Sequence, residues 1–82
     1  MAAQRNAKVS GDQIRAARAL LNLSAQELAE ATKLSRGTIQ RAELGTAQIT
    51  TANGERIVEV LGQMGIVFLA SNGGGPGVRL RR

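Results

Sequence analysis

Few side chains in this 82-residue chain could do chemistry, and they point to recognition rather than reaction. The chain has no His, Cys, Tyr or Trp. That removes the thiolate nucleophile, the imidazole base, disulfide staples and any metal site built on Cys or His ligands. The six acids (Asp12, Glu27, Glu30, Glu43, Glu55 and Glu59) are spread along the chain without an evident paired cleft. No nucleophile meets a base, so neither an enzyme nor a cofactor is expected. Recognition chemistry remains, in Arg36, Thr38, Gln40 and Arg41. An Arg fork fits guanine edges or phosphate, a Gln amide fits adenine, and a Thr hydroxyl holds the nucleic-acid backbone. The same face has two other readings: a protein-binding patch, since Arg is enriched at interfaces, or an ordinary solvated helix surface.

The elements that must position these residues lie in SAQELAEATKLSRGTIQRAE, residues 24–43. Ser24 with Glu27 has the spacing of a capping box, and Leu28 and Ala29 follow on an apolar face. A helix is expected at about 25–32. Ser35 restarts the chain after a short break, with a helix at about 36–43 whose inward residue is Ile39 and whose end is marked by Gly45. Two short helices joined by a tight turn form a helix-turn-helix, which presents its second helix outward and suits a DNA major groove. Ahead of it, Ser10 and Gln13 give another capping box. Ile14, Ala17, Leu21 and Leu20 follow at helical spacing, Asn22 closes that helix, and Leu23 turns inward. Behind it, Ile49 is the expected anchor of the polar loop 46–51. Thr51 is the expected cap of a fourth helix carrying Ile57, Val60, Leu61 and Met64, and Gly65 stops it.

The formal net charge is +5, but its position tempers a nucleic-acid reading. Between Ser10 and Gly65 the basic residues Arg15, Arg18, Lys33, Arg36, Arg41 and Arg56 are matched in number by the acids. The surplus sits on Arg5 and Lys8 at one end and on Arg79, Arg81 and Arg82 at the other. Basic ends over a neutral centre could hold phosphates, or could simply keep a small protein soluble. A chain this short buries a small core and benefits from dimerisation. No apolar run approaches the roughly 20 residues of a membrane span, and MAAQRNAKVS lacks the apolar stretch of a secretory signal. A cytoplasmic protein is expected.

Residues 66–70 are an apolar, β-branched run with the only aromatic, Phe68. SNGGGPG follows, then Val78 to Arg81 alternates with period two. This reads as a β-hairpin around a wide turn. GGGPG is not followed by a helix or by Lys-Ser/Thr, so nucleotide binding is not indicated. The strand at 78–81 either packs at home or adds to a partner strand. The organisation expected is a disordered basic arm at 1–9, a helical domain at 10–65, and a hairpin with basic tail at 66–82.

From about Gln13 to Gly45, IRAARALLNLSAQELAEATKLSRGTIQRAELG resembles the Cro/CI-type (Xre) helix-turn-helix family. The resemblance implies a mostly α, lambda-repressor-like domain of four to five short helices, followed here by the β-hairpin. It implies an ion pair between Arg18 in helix 1 and Glu43 at the end of helix 3. It also marks departures. The family's phosphate-holding Gln at the start of helix 2 is Ala25 here, with Gln26 next. The turn Gly is Lys33. The first exposed positions of helix 3 are Arg36 and Gly37, and Gly37 has no side chain to read with. The binding face implied is therefore Ala25, Gln26, Lys33, Arg36, Gly37, Thr38, Gln40 and Arg41. GIVFLASNGGGPGVRL resembles the tail of small alphaproteobacterial members of the family. The chain as a whole resembles antiactivators that bind transcriptional activators and silence them in quorum-sensing control of conjugative transfer. The resemblance thus implies an activator protein as partner, with weak DNA binding and a homodimer also open. The alternative is a sequence-specific DNA-binding repressor.

Overall fold

The computed structural model describes residues 9–45, 51–69 and 75–81. They form α1 (Gly11–Leu21), α2 (Ala25–Thr32), α3 (Arg36–Leu44), α4 (Thr51–Gln63), β1 (Ile66–Leu69) and β2 (Gly77–Leu80). The first three helices start where serines satisfy free backbone donors. Ser10 Oγ accepts from the Gln13 N–H at 3.1 Å, and Gln13 Oε1 accepts from the Ser10 N–H at 2.9 Å. Ser24 and Glu27 repeat this reciprocal box at 3.0 and 2.8 Å. Ser35 has only half of it: its hydroxyl accepts from the Thr38 N–H at 3.0 Å and shares a second bond with the Thr38 hydroxyl at 2.9 Å.

The helices end by one device. Asn22, Lys33 and Gly45 each adopt a left-handed conformation, at φ 59°, 60° and 72°. After two of these left-handed residues, Asn22 and Lys33, comes an inward leucine whose N–H reaches back five residues in the helix-terminating pattern: Leu23 to the Arg18 carbonyl at 2.9 Å, Leu34 to the Ala29 carbonyl at 3.0 Å. A serine cap follows each time. Asn-Leu-Ser and Lys-Leu-Ser are thus the same tight corner used twice, and the second is the turn of the helix-turn-helix.

The core is Ile14, Ala17, Leu28, Ala29, Ile39, Ile57, Leu61 and Ile66, all at most 2% exposed. Thr32 is buried among them, its hydroxyl donating back to the Leu28 carbonyl at 2.8 Å. Two apolar residues expected inside are largely outside: Leu20 is 44% and Met64 39% exposed. Leu20 lies at the flank of its helix stripe, and Met64 falls in the turn just past the end of α4. Thr51 is the first residue of α4 rather than its cap, so the cap position falls one residue earlier, outside the described residues. Residues 1–8 of the expected arm, the anchor Ile49 and the strand end Ala70 also lie outside them, whereas Val9 packs against the core.

β1 and β2 pair antiparallel, with Ile66 opposite Leu80 and Phe68 opposite Val78. The hairpin packs at home: β2 lies against α1 and β1 against α4. Ile66, Phe68, Val78 and Leu80 turn toward the core. Gln13 reaches from α1 to the far end of the hairpin, its Nε2 donating to the Gly77 carbonyl at 3.0 Å and more weakly to the Leu69 carbonyl at 3.4 Å. Arg81 closes the near end. Its N–H donates to the Gly65 carbonyl at 2.7 Å, and its guanidinium donates to the Gly62 carbonyl at 3.0 Å. A cation there complements the negative end of the α4 dipole. Counted by composition as part of a basic tail, Arg81 is instead a helix cap.

Candidate recognition face

α3 is fixed from within at its C-terminal end. Glu43, 8% exposed, receives Arg18 Nε on Oε2 at 2.6 Å and Arg18 Nη2 on Oε1 at 2.8 Å. The third guanidinium nitrogen donates to the Leu23 carbonyl at 3.0 Å. One arginine therefore ties α1, the first corner and α3 together in a two-pronged, charge-assisted contact. The Glu43 hydrogen bonds hold Arg18 protonated more firmly than an ordinary arginine, outweighing the opposite effect of its burial. Gly11 completes the junction. A Cβ on it would stand 2.2 Å from the Glu43 carbonyl oxygen and 2.7 Å from that of Ala42. Only glycine lets the start of α1 come this close to the last turn of α3.

The outer side of α3 is a stripe of different character. Gly37, Gln40, Arg41 and Leu44 follow at i, i+3, i+4 and i+7, one face of a helix. Ile39 and Glu43 occupy the opposite, buried side. Gln40 and Arg41 are exposed, and Leu44 is 68% exposed, the most open large apolar side chain among the described residues. The Arg41 side chain lies back along the helix: its Nη1 is 3.2 Å from where a Gly37 Cβ would be. Gly37 is thus the seat of the Arg41 guanidinium.

The remaining expected face residues divide. Arg36 opens α3 and Lys33 holds the corner, both exposed. Among the described residues the ion pairs are Arg18–Glu43 and Arg15–Asp12, so Lys33, Arg36 and Arg41 have no carboxylate partner. Thr38 is half-buried and turned back onto Ser35. Ala25 is half-buried against the core. Gln26 donates its amide to Glu30 at 3.2 Å. Lys33, Arg36, Gln40 and Arg41 are therefore the exposed side chains of this face, and Gly37 lies half-buried beneath Arg41. Ala25 and Thr38 offer it no free group, and Gln26, exposed, spends one amide N–H on Glu30.

One contributor was absent from the sequence reading. Leu44 lies seven residues after Gly37, and the same helical spacing that placed Gln40 and Arg41 outward places it between them. Glu30, on α2, accepts from Gln26. Among the described residues no group of three or more acids, His or Cys could hold a metal ion, and no helix is long and apolar enough to cross a membrane.

Comparison with known proteins agrees with this geometry. A family model described as Helix-turn-helix matches residues 14–68, which include α2, the Lys33 corner and α3 and cover about two thirds of the chain. No curated protein matches it. The matched span holds both serine-capped corners and the Arg18–Glu43 clamp, and the family it defines is one of DNA-binding regulators. The chain belongs to the Cro/CI-type (Xre) helix-turn-helix family and is a helix-turn-helix transcription regulator.

Proposed function

We propose that this regulator acts as an antiactivator: its α2–α3 face docks on a transcriptional activator protein and keeps that activator from its promoter. The observation that carries this reading is where the face lacks donors. Ala25 at the start of α2 packs inward, and Gly37 has no side chain. These positions would meet phosphates and base edges first, yet the fold around them is intact. The resemblance of the GGGPGVRL tail supports a setting in quorum-sensing control of conjugative transfer, in the cytoplasm.

A second reading, a DNA-binding repressor, is favoured by family membership and by the unpaired Lys33, Arg36 and Arg41. A homodimer would then present two copies of α3 about 34 Å apart. Fluorescence anisotropy on a labelled duplex from upstream of the protein's own gene, beside a scrambled duplex and across a salt series, separates the two. The antiactivator predicts weak, sequence-blind binding that disappears at physiological salt. Sequence-dependent binding tighter than about 10 nM at that salt would make the protein a repressor. A two-hybrid screen against genomic fragments gives the complementary result: the antiactivator captures a transcriptional activator, and Arg36→Glu with Arg41→Glu abolishes the capture.

A further inference from the structure

Resting on that reading of the α2–α3 face as a protein-docking surface, we infer that its partner is an acidic segment carrying a large apolar side chain, which seats on Leu44. Three observations converge on the outer stripe of α3. Leu44 stands at the middle of the exposed arc, with Gln40 on one side and Arg41 on the other, and 68% of its surface is open. The core does not use it, and a leucine has no donor or acceptor for a phosphate or a base edge. Arg41, one turn before Leu44, and Arg36 and Lys33 toward the other end of α3 have no carboxylate partner among the described residues. The two exposed acids of α2 are engaged locally, Glu27 by the Ser24 N–H and Glu30 by the Gln26 amide. Gly37 leaves the helix surface low, so a partner backbone can approach where Arg41 now lies back.

Charge complementarity selects the occupant. Carboxylates pair with the Arg forks, and one apolar side chain covers Leu44. This is the arrangement of interface cores, in which an apolar anchor is ringed by polar contacts. A duplex would satisfy the cations and leave Leu44 uncovered against water or phosphate. A purely acidic polar segment would do the same. The apolar anchor therefore distinguishes this partner from both.

The probe is a displayed library of random 16-residue peptides, selected on the whole immobilised chain at physiological salt. The triple variant Arg36→Glu, Arg41→Glu, Leu44→Ser serves as counter-target. A random-sequence duplex pool is selected in parallel. The expected result is enrichment of peptides with several Asp or Glu around one Leu, Phe or Met. Their affinity should fall at least tenfold on Leu44→Ser alone and at least tenfold on Arg41→Glu alone, in variants whose circular dichroism is unchanged. The duplex pool should not converge. Enriched peptides without acidic bias, or full affinity in Leu44→Ser, would overturn the proposed chemistry. If the two-hybrid capture is nevertheless lost in Arg36→Glu, Arg41→Glu, protein docking on this face stands and only the partner's character is wrong. Convergence of the duplexes on a consensus without peptide enrichment would overturn both.

Discussion

The two sides of α3 obey different rules. On the inner side every group is committed: Ile39 is fully buried, and Glu43 is gripped by two nitrogens of Arg18 while its backbone touches Gly11. On the outer side Gln40, Arg41 and Leu44 are exposed. One short helix thus carries the clamp to α1 on one face and the candidate recognition surface on the other. The lesson is separability. The side chains that pack the fold and the exposed side chains proposed to meet a partner lie on opposite sides of one helix, so on this reading a repressor-like scaffold can change partners without changing its packing.

The strongest way to break the comparison is to free the inner side. Glu43→Ala leaves Arg18 facing a partly buried space without its carboxylate. Losing one member of such a pair costs about 3–5 kcal/mol, and the lower end applies because Arg18 keeps 22% of its side chain exposed. For an 82-residue domain of marginal stability this means unfolding, or a loss of most of the denaturation midpoint. The clamp should be insensitive to base. Arg18 has a higher pKa folded than unfolded, so its contribution is complete below the unfolded value and is lost only as pH rises through the folded one. Urea denaturation at intervals between about pH 8 and 11 should show no slope assignable to Arg18. A stability loss within that window that vanishes in Arg18→Ala would contradict the assignment.

A smaller break comes at Gly11. The added methyl of Gly11→Ala meets backbone rather than a side chain that can swing away, so α1 must move off α3. Overpacking of this kind costs about 1–3 kcal/mol. The variant should melt earlier than wild type, although alanine is the better helix former. A gain in midpoint would mean that α1 and α3 do not approach as closely as the Gly11 contact requires.

Much of the fold was legible because it is written in local signals. The serine boxes, the Asn22 and Gly45 terminations and the apolar spacing of Ile14, Ala17, Leu28, Ala29, Ile39, Ile57 and Leu61 each depend on residues within a turn or two. The Arg18–Glu43 pair came from resemblance, since twenty-five positions of separation carry no local signal. The nonlocal partnerships were not legible. Gln13 read as half of a cap and also holds the hairpin; Arg81 read as tail charge and caps α4; Gly11 read as nothing at all. Of the recognition face, the spacing gave the outward Arg36, Gln40 and Arg41. Thr38 has the right chemistry but its hydroxyl is turned back onto Ser35, and Gln26 spends one amide N–H on Glu30; both depend on rotamers, which spacing does not determine.

On the outer side the expected effects are small, and Gly37 sharpens the comparison because its sign is reversed. A Cβ there would meet only the far end of the Arg41 side chain, at 3.2 Å. That end can swing aside, so Gly37→Ala should gain up to about 1 kcal/mol of helix propensity rather than lose stability. The guanidinium must then shift by a few tenths of an ångström, and partner affinity should change although stability rises. A destabilised Gly37→Ala would mean that Arg41 is held in place by the fold, and the outer side would then belong to the packing after all.

The smallest effect is the most decisive for separability. Arg36→Glu, Arg41→Glu and Leu44→Ser each remove an exposed side chain with no ion-pair or core partner among the described residues. Surface changes of this kind stay within about 0.5 kcal/mol. All three variants should therefore keep the wild-type urea midpoint nearly unchanged while losing the partner. Leu44→Ser is the sharpest of them. Removing an exposed leucine from a helix end should be neutral or slightly favourable for solubility, so a lost partner there cannot be blamed on a damaged fold. If instead its midpoint fell by as much as that of Gly11→Ala, Leu44 would be packed in solution, and the outer stripe would be a second inner side.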